Sequence, residues 1–312
     1  MTNDFQLTTP VAFLVFNRPD TTQQVFEAIR RARPPKLLVV ADGPRVDRPE
    51  EEEKCQAVRA IIDTVDWPCE ILKNYSDVNL GCKMRVSSGL DWVFEQVEEA
   101  IVLEDDCLPD PTFFRFCEEL LEKYRHDERI FMICGANFQF SQKRTNASYY
   151  FTRYNHIWGW ASWRRAWKHY DRDIKLWPTI NAEEWLKSVI PNQRECRFWS
   201  DIFQTVYEGK IDTWDYQVNF ASYINNMVSI IPSANMISNI GFGSDATHTQ
   251  GVTPYANMLV SPMPFPLTHP ELFLTHYKAD NFTVKTMFMP SVGRRILRKF
   301  RFVMNRLRIG SN

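Results

Sequence analysis

The apolar run Ile101-Val102-Leu103 ends abruptly in Glu104-Asp105-Asp106, and a short Pro-rich link leads from there to a helix-like segment opening at Thr112. Three adjacent carboxylates repel one another. A fold rarely delivers them to the end of a buried strand unless a cation offsets the charge. Hard divalent ions such as Mg²⁺ and Mn²⁺ take oxygen ligands, commonly one or two carboxylates plus substrate phosphates. Open α/β sheets bind ligands at the carboxyl ends of their strands. The stretch therefore points to a metal–diphosphate site on such a sheet. The competing reading is a solvated turn whose acids complement the start of the following helix.

The pattern around the acids supports a sheet. Val11 to Phe16, Lys36 to Ala41, Glu70 to Tyr75 and Ala100 to Leu103 read as strands. Helix-like segments separate them: Thr21 to Arg33, residues 50–65, and Gly81 to Glu95. Thr112 to Arg125 reads as a further helix and Ile130 to Cys134 as a further strand. Strands alternating with helices over residues 1–135 predict a mostly parallel sheet. After Gly135 aromatics crowd together at His156-Ile157-Trp158-Gly159-Trp160-Ala161-Ser162-Trp163, with Trp167 close behind. Residues 195–226 read as helical, Val228 to Ile231 as a strand, and a Pro-rich stretch runs to residue 270.

The net charge of −1 argues against a general nucleic-acid binder. It hides an asymmetry. Residues 281–312 hold no Asp or Glu but carry Lys285, Arg294, Arg295, Arg298, Lys299, Arg301, Arg306 and Arg308, so this segment is +8 and the rest of the chain −9. Apolar residues at 292, 296, 297, 300, 303, 304 and 307 fall at helical spacing. A basic amphipathic helix over residues 285–308 suits an anionic membrane surface, and a solvated tail or a helix packed on a partner is the plainer alternative. The seven Cys include no CxxC, which suggests small buried hydrophobes in a reducing compartment rather than a zinc or disulfide framework. Met1 to Pro10 is polar, unlike a signal peptide, and no apolar run approaches the roughly 20 residues of a membrane span. The expectation is a cytoplasmic protein, peripheral at the inner face of the cytoplasmic membrane.

Two other strand ends converge on the acids in such a sheet. One carries Asn17 and Arg18, the other Asp42. Arg18 suits a phosphate, and Asp42 suits a base N–H or a ribose hydroxyl, although Asn, Asp, Gly and Pro punctuate ordinary turns too. There is no GxGxxG and no GxxxxGK[ST], which argues against a dinucleotide dehydrogenase and a P-loop enzyme.

In this order, Asn17-Arg18-Pro19, Asp42-Gly43, Asn79-Leu80-Gly81 and Glu104-Asp105-Asp106 resemble the metal-dependent glycosyltransferases of the GT-A fold. Among those the nearest likeness is to the Golgi N-acetylglucosaminyltransferases with an NRP turn and an EDD motif. Over residues 10–275 the chain is similar to bacterial family-2-like glycosyltransferases, filed as nucleotide-diphospho-sugar transferases and sometimes as haemolysin-like. That likeness includes WGWASWRRAW, Thr213-Trp214-Asp215-Tyr216-Gln217, and Asn239-Ile240-Gly241-Phe242-Gly243 with Ala246-Thr247-His248. The resemblance implies that Asp106 binds Mn²⁺ or Mg²⁺ bridging the diphosphate, that Asp105 faces the ribose and Glu104 the donor sugar or ribose. It also implies that Asp42 holds the base, that Asn17 and Arg18 hold the nucleotide, and that His248 is a further metal ligand.

An inverting transferase needs a carboxylate to deprotonate the acceptor hydroxyl. Asp215 is the first candidate, since similar enzymes place their base at a helix start after an aromatic. Asp201, in Phe198-Trp199-Ser200-Asp201, is the second; it is similar to the Trp-Asp-Asp segment of the Golgi enzymes with Ser200 in place of an acid. The plain alternative for Asp215 is a helix-start acid complementing the dipole. The aromatic segment 156–167 is expected to wall the sugar cleft in part and to pack the core in part, with Gly159 letting backbone approach the donor.

The expected architecture is therefore α/β: a GT-A fold, with a mostly parallel central sheet flanked by helices and a basic amphipathic C-terminal helix. Residues 1–280 form the glycosyltransferase domain, with 1–135 the nucleotide-binding half and 136–280 the acceptor half, and 281–312 form the basic tail. The expected activity is metal-dependent, inverting transfer of a sugar from a nucleotide-diphospho-sugar, UDP-linked, to a glycan or glycolipid hydroxyl. Two alternatives stand beside it: a nucleotidyltransferase making nucleotide sugars, which the missing glycine-rich loop disfavours, and a non-catalytic, haemolysin-like membrane binder.

Overall fold

The computed structural model describes residues 5–242 and 253–289. β1 (Val11–Val15), β2 (Lys36–Ala41), β3 (Glu70–Tyr75) and β4 (Glu99–Glu104) lie parallel, joined in turn by the helices Pro19–Ala32, Glu50–Ile62 and Gly81–Gln96. β5 (Cys107–Pro109) turns away from them. β6 (Ile130–Cys134), β7 (Tyr149–Thr152), β8 (Trp160–Trp163) and β9 (Val228–Pro232) complete an eight-stranded sheet in the order β3-β2-β1-β4-β8-β6-β9-β7. β7 and β8 run against the other strands. β10 (Ile237–Asn239) pairs antiparallel with β5 outside the main sheet. The expected α/β architecture with a mostly parallel sheet is thus what the chain adopts.

The first half forms as its residues dictate. β1, β2 and β4 are near-continuous apolar runs, buried on both faces as parallel strands under helices must be. Helix Pro19–Ala32 starts with proline, whose missing N–H suits the first turn, and buries Val25, Phe26 and Ile29 on one face. It ends where Arg33 turns left-handed and donates its N–H to the Ile29 carbonyl.

The second half departs from expectation in two places. The Trp160-Ala161-Ser162-Trp163 segment is a strand, lying antiparallel between β4 and β6. Four residues buried on both faces carry no alternation to mark them as a strand. The helix expected across 195–226 is two helices, Gln193–Tyr207 and Asp215–Ile224, separated at Gly209 with its φ of +68°. Around these two helices a satellite core collects Tyr154, Trp177, Trp199, Phe203, Phe220 and Tyr223.

The helix Tyr277–Thr283 runs through the position 280/281 where charge alone set the start of the tail. One π-helical turn, Val284–Phe288, follows, and the Phe288 ring lies 4.9 Å from Trp199 in the satellite core. The rest of the basic amphipathic segment lies outside the described residues. Among those described, no helix is long and apolar enough to cross a membrane. All seven cysteines are free, and five of them are buried.

Asp280 ties the last helix to the sheet. Its carboxylate accepts from Thr152 Oγ1 at 2.6 Å and lies 3.7 Å from Arg153 Nε, and the residue is 2% exposed. Burial pushes its pKa up to about 6, against the opposing pull of Thr152 and Arg153. The folded state therefore keeps a proton that the unfolded chain releases near pH 4. Stability attributable to this group falls as pH rises from about 4 to about 6 and is level above that. Asp280→Asn, which retains the acceptor for Thr152, is expected to gain on wild type across that window, by about 3 kcal/mol at most. Urea melts of both proteins at stepped pH check this, and a pH-independent difference would contradict it.

Candidate active site

Strand register sets the level of the site. Val15 of β1 lies opposite Ala41 of β2, and Leu14 lies opposite Glu104 of β4. The residues that follow each strand, Arg18, Asp42 and Asp105-Asp106, therefore leave the sheet along one rim. At that rim the Arg18 guanidinium sits between two carboxylates. Nη2 is 2.9 Å from Asp105 Oδ1 and Nη1 is 2.9 Å from Asp106 Oδ2. Asp105 Oδ2 also accepts from the Phe16 N–H, which ties the end of β1 to the acids.

One arginine does not balance three acids. Burial, reinforced by Asp106 and Asp105, pushes Glu104 up to about 8. Burial also raises Asp105, to about 7, even though Arg18 pulls the other way. Burial opposes the charge on Arg18 itself, but Asp105, Asp106 and Glu104 together hold its pKa above the ordinary arginine value. With all four groups ionised, two negative charges stand uncompensated.

That balance and the chemistry of the donors fit a divalent cation. Among the described residues no three His, Cys, Asp or Glu side chains converge into an all-protein cage. Mg²⁺ and Mn²⁺ held by a carboxylate, substrate phosphates and water need none. Asp106 could hold one: its side chain, 13% exposed against 4% for Asp105, lines a cavity.

Asp42 is buried at the end of β2, where burial raises its pKa. Its Oδ1 accepts from the N–H groups of Gly43 and Leu80, and its Oδ2 from Asn79 Nδ2 and the Gly81 N–H. All four acceptor positions of the carboxylate are in use. A base or ribose hydroxyl reaches it only by replacing one of these donors. Asp42 thus orders the loop that opens helix Gly81–Gln96, whose first residue has φ +79°, a conformation glycine adopts without strain.

Two cavities adjoin at the rim. One, of about 310 Å³, is lined by Phe16, Asp42, Asn79 and Arg85. The other, of about 430 Å³, is lined by Asp106, Trp158, Asp215, Tyr216 and Phe242. Arg18, Cys82, Glu104 and Asp212 line both. Gly241 closes the rim from the β10 side: a Cβ there would lie 2.3 Å from Asp106 Oδ2 and 2.5 Å from Arg18 Nη1. Pairing of β5 with β10 puts Asn239 opposite Cys107, and Ile240 donates its N–H to the Asp106 carbonyl, which fixes this approach.

The sequence-derived candidates divide as follows. Arg18, Asp42, Glu104, Asp105, Asp106 and Asp215 come together around the two cavities. Asn17 is half-buried in the same turn as Arg18 but lines neither cavity. Asp201 is exposed on helix Gln193–Tyr207, outside both. His248 lies outside the described residues. In the aromatic segment Trp158 lines the larger cavity, while Trp160, Trp163 and Trp167 are core. Gly159 lines neither cavity, and a Cβ on it would lie 2.4 Å from Ile237 Cδ1.

Asp212 is the functional candidate that sequence reasoning missed. It accepts from the N–H groups of Cys82 at 3.2 Å and Lys83 at 2.9 Å, across 130 and 129 residues. The available signal was a deficiency: helix Gly81–Gln96 has no capping side chain at Leu80 and no acid in its first turn. Nothing local says which distant acid fills it. Gly241 and Asn239 were noted in the sequence without a role.

No family model matches the chain, and no curated protein matches it. Among solved structures it is similar to 4-diphosphocytidyl-2C-methyl-D-erythritol synthase from Anaerococcus prevotii DSM 20548, at 10% identity and a TM-score of 0.31, over 50% of this chain and 72% of that one. It is also similar to a UDP-glucose pyrophosphorylase complexed with UDP-glucose, at 11% identity and a TM-score of 0.36, over 72% of this chain and 90% of that one. Likenesses this distant carry no assignment of activity.

Asp212→Ala is expected to destabilise the fold by about 1 kcal/mol, the usual cost of losing an N-terminal helix cap. Asp212→Asn, which keeps an acceptor oxygen, is expected to lose less than half of that. Denaturant midpoints of the two variants decide it, and equal losses would show that the two hydrogen bonds contribute nothing as a cap.

Proposed function

We propose that this chain is a GT-A-type glycosyltransferase that moves a sugar from a nucleotide-diphospho-sugar, UDP-linked, to a hydroxyl of a glycan or glycolipid. The observation that carries the reading is the pair of cavities meeting at Arg18 and Glu104. Polar loop groups line one side, and an aromatic wall with a helix-start carboxylate lines the other. That division suits a donor whose nucleoside and sugar lie on either side of a diphosphate.

In this reading the nucleoside occupies the smaller cavity, against the loop that Asp42 and Asn79 hold in shape. Asn17 and Arg18 serve the nucleotide, with Arg18 exchanging part of its carboxylate pairing for phosphate oxygens. Asp106 holds Mn²⁺ or Mg²⁺, and His248 is the proposed further ligand. When bound, that ion supplies positive charge to the departing diphosphate. The sugar and acceptor lie in the larger cavity against Trp158 and Phe242, whose rings meet edge to face at 5.7 Å.

Asp215 is the proposed base in preference to Asp201. Thr213 Oγ1 and the Tyr216 N–H both donate to its Oδ1, and Oδ2 accepts no hydrogen bond among the described residues. The acceptor oxygen attacks the anomeric carbon with inversion. Its proton passes to Asp215, the bond from that carbon to the diphosphate breaks, and the electron pair leaves with the diphosphate. Residues 285–308 would hold the enzyme at an anionic membrane surface, near lipid-linked acceptors on the cytoplasmic face.

Calorimetric titration with UDP, GDP, CDP and dTDP, each with and without Mn²⁺, tests the reading. Metal-dependent binding of one diphosphate is expected, weakened about 100-fold by Asp106→Ala as the carboxylate proposed to hold the ion is lost. Gly241→Ala is expected to weaken it at least about 10-fold, because the new methyl group displaces Asp106 and Arg18. No binding of any diphosphate in the presence of metal would sink the proposal, and pyrophosphate release from a nucleoside triphosphate would move it to nucleotidyl transfer. Asp215→Asn is expected to bind the diphosphate as wild type does while turnover falls about 100-fold or more. Unchanged turnover would remove Asp215 from the role of base.

A further inference from the structure

At the opposite edge of the sheet the chain builds a second surface. β7 is the edge strand, and residues 268–276 run beside it. Ser148 donates its N–H to the Thr268 carbonyl and His276 donates its own to the Phe151 carbonyl, both at 2.8 Å. A cavity of about 1030 Å³ opens there. It is lined among others by Lys143, Arg144 and Lys278, none of which has an acidic partner among the described residues, and by one acid, Glu271. Its apolar lining includes Leu272, Leu274 and Tyr277, which are 67%, 69% and 75% exposed.

The exposure is built in. The Phe273 ring turns inward, 4.4 Å from the Phe151 ring, with the Arg129 guanidinium 3.7 Å from its centroid. In an extended segment this sends its neighbours Leu272 and Leu274 outward. One exposed leucine is ordinary, but two leucines and a tyrosine beside three cations with no acidic partner among the described residues are not; Arg144 donates only to the neutral amides of Gln139 and Gln142. Each apolar group gains by leaving water, and each cation gains from a surface dense in anions.

We infer that this face docks on an anionic lipid bilayer, with Leu272, Leu274 and Tyr277 entering the interface and Lys143, Arg144 and Lys278 contacting headgroups. Charge complementarity and the continuation of the chain both favour this occupant. The helix that starts at Tyr277 leads to residues 290–312, which carry seven further Arg and Lys and no acid. β7 stands four places from β4 in the sheet order, about 19 Å at the usual strand spacing, so docking leaves the carboxylate rim open. The inference does not depend on the donor-site reading.

Co-sedimentation of the full chain with vesicles tests it, using phosphatidylcholine alone and phosphatidylcholine mixed with phosphatidylglycerol. Wild type is expected to partition onto the mixed vesicles only. Lys143→Gln with Lys278→Gln is expected to weaken that partitioning about 30-fold at low salt. Leu272→Ser with Leu274→Ser is expected to weaken it at least about 10-fold. All four positions are exposed, and the variants keep the basic tail. Wild type that ignores the mixed vesicles, or variants that bind them as wild type does, would overturn the inference; the latter result would assign binding to the tail alone. Self-association that the leucine variants abolish, with no vesicle binding, would overturn it in favour of a second copy of the chain.

Discussion

A single guanidinium holding two carboxylates at one sheet rim is the constraint on which the rest of the site depends. Arg18 reaches Asp105 and Asp106 because β1 and β4 are neighbours in a register that levels their ends. Phe16 reinforces the junction through its backbone N–H, and the absence of a side chain at Gly241 leaves room for it. The pairing is also incomplete. Buried acids that exceed their counter-charge are poor for stability, and proteins place such imbalances where a ligand completes them.

The backbone N–H groups at the start of helix Gly81–Gln96 are met by carboxylates of the chain itself. Asp42 orders residues 79–81 through four hydrogen bonds, and that loop opens helix Gly81–Gln96 toward the rim. The helix start is then capped from the other half of the molecule by Asp212, so the two cavities share walls that belong to neither half alone. The geometry of the rim therefore rests on long-range contacts, and a change in residues 209–213 is felt at the start of the helix.

The first half of the fold was legible because its local signals agree with one another. β2, β3 and β6 begin and end where the residue pattern places strands, and the connecting helices fall between them. The second half was less legible. The Trp160–Trp163 strand is buried on both faces and too short to show a period, so the sequence did not tell which aromatics of residues 156–167 wall the cleft and which pack the core. The stretch read as helical is broken at Gly209, and Asp215 stands at the helix start expected for it, lining the larger cavity.

The sequence by itself determined the chemistry on offer: an arginine and four acids at successive strand ends, an aromatic block, and a C-terminal segment of one sign. These follow from residue type and period, which are local properties of the chain. Only the tertiary structure decided which groups meet. It placed Asp215 at the shared site and Asp201 in solvent, used up the acceptor positions of Asp42 within its own loop, and brought Asp212 and Gly241 to the rim. Those outcomes depend on strand order, register and contacts across about a hundred residues or more, and no local pattern carries that information.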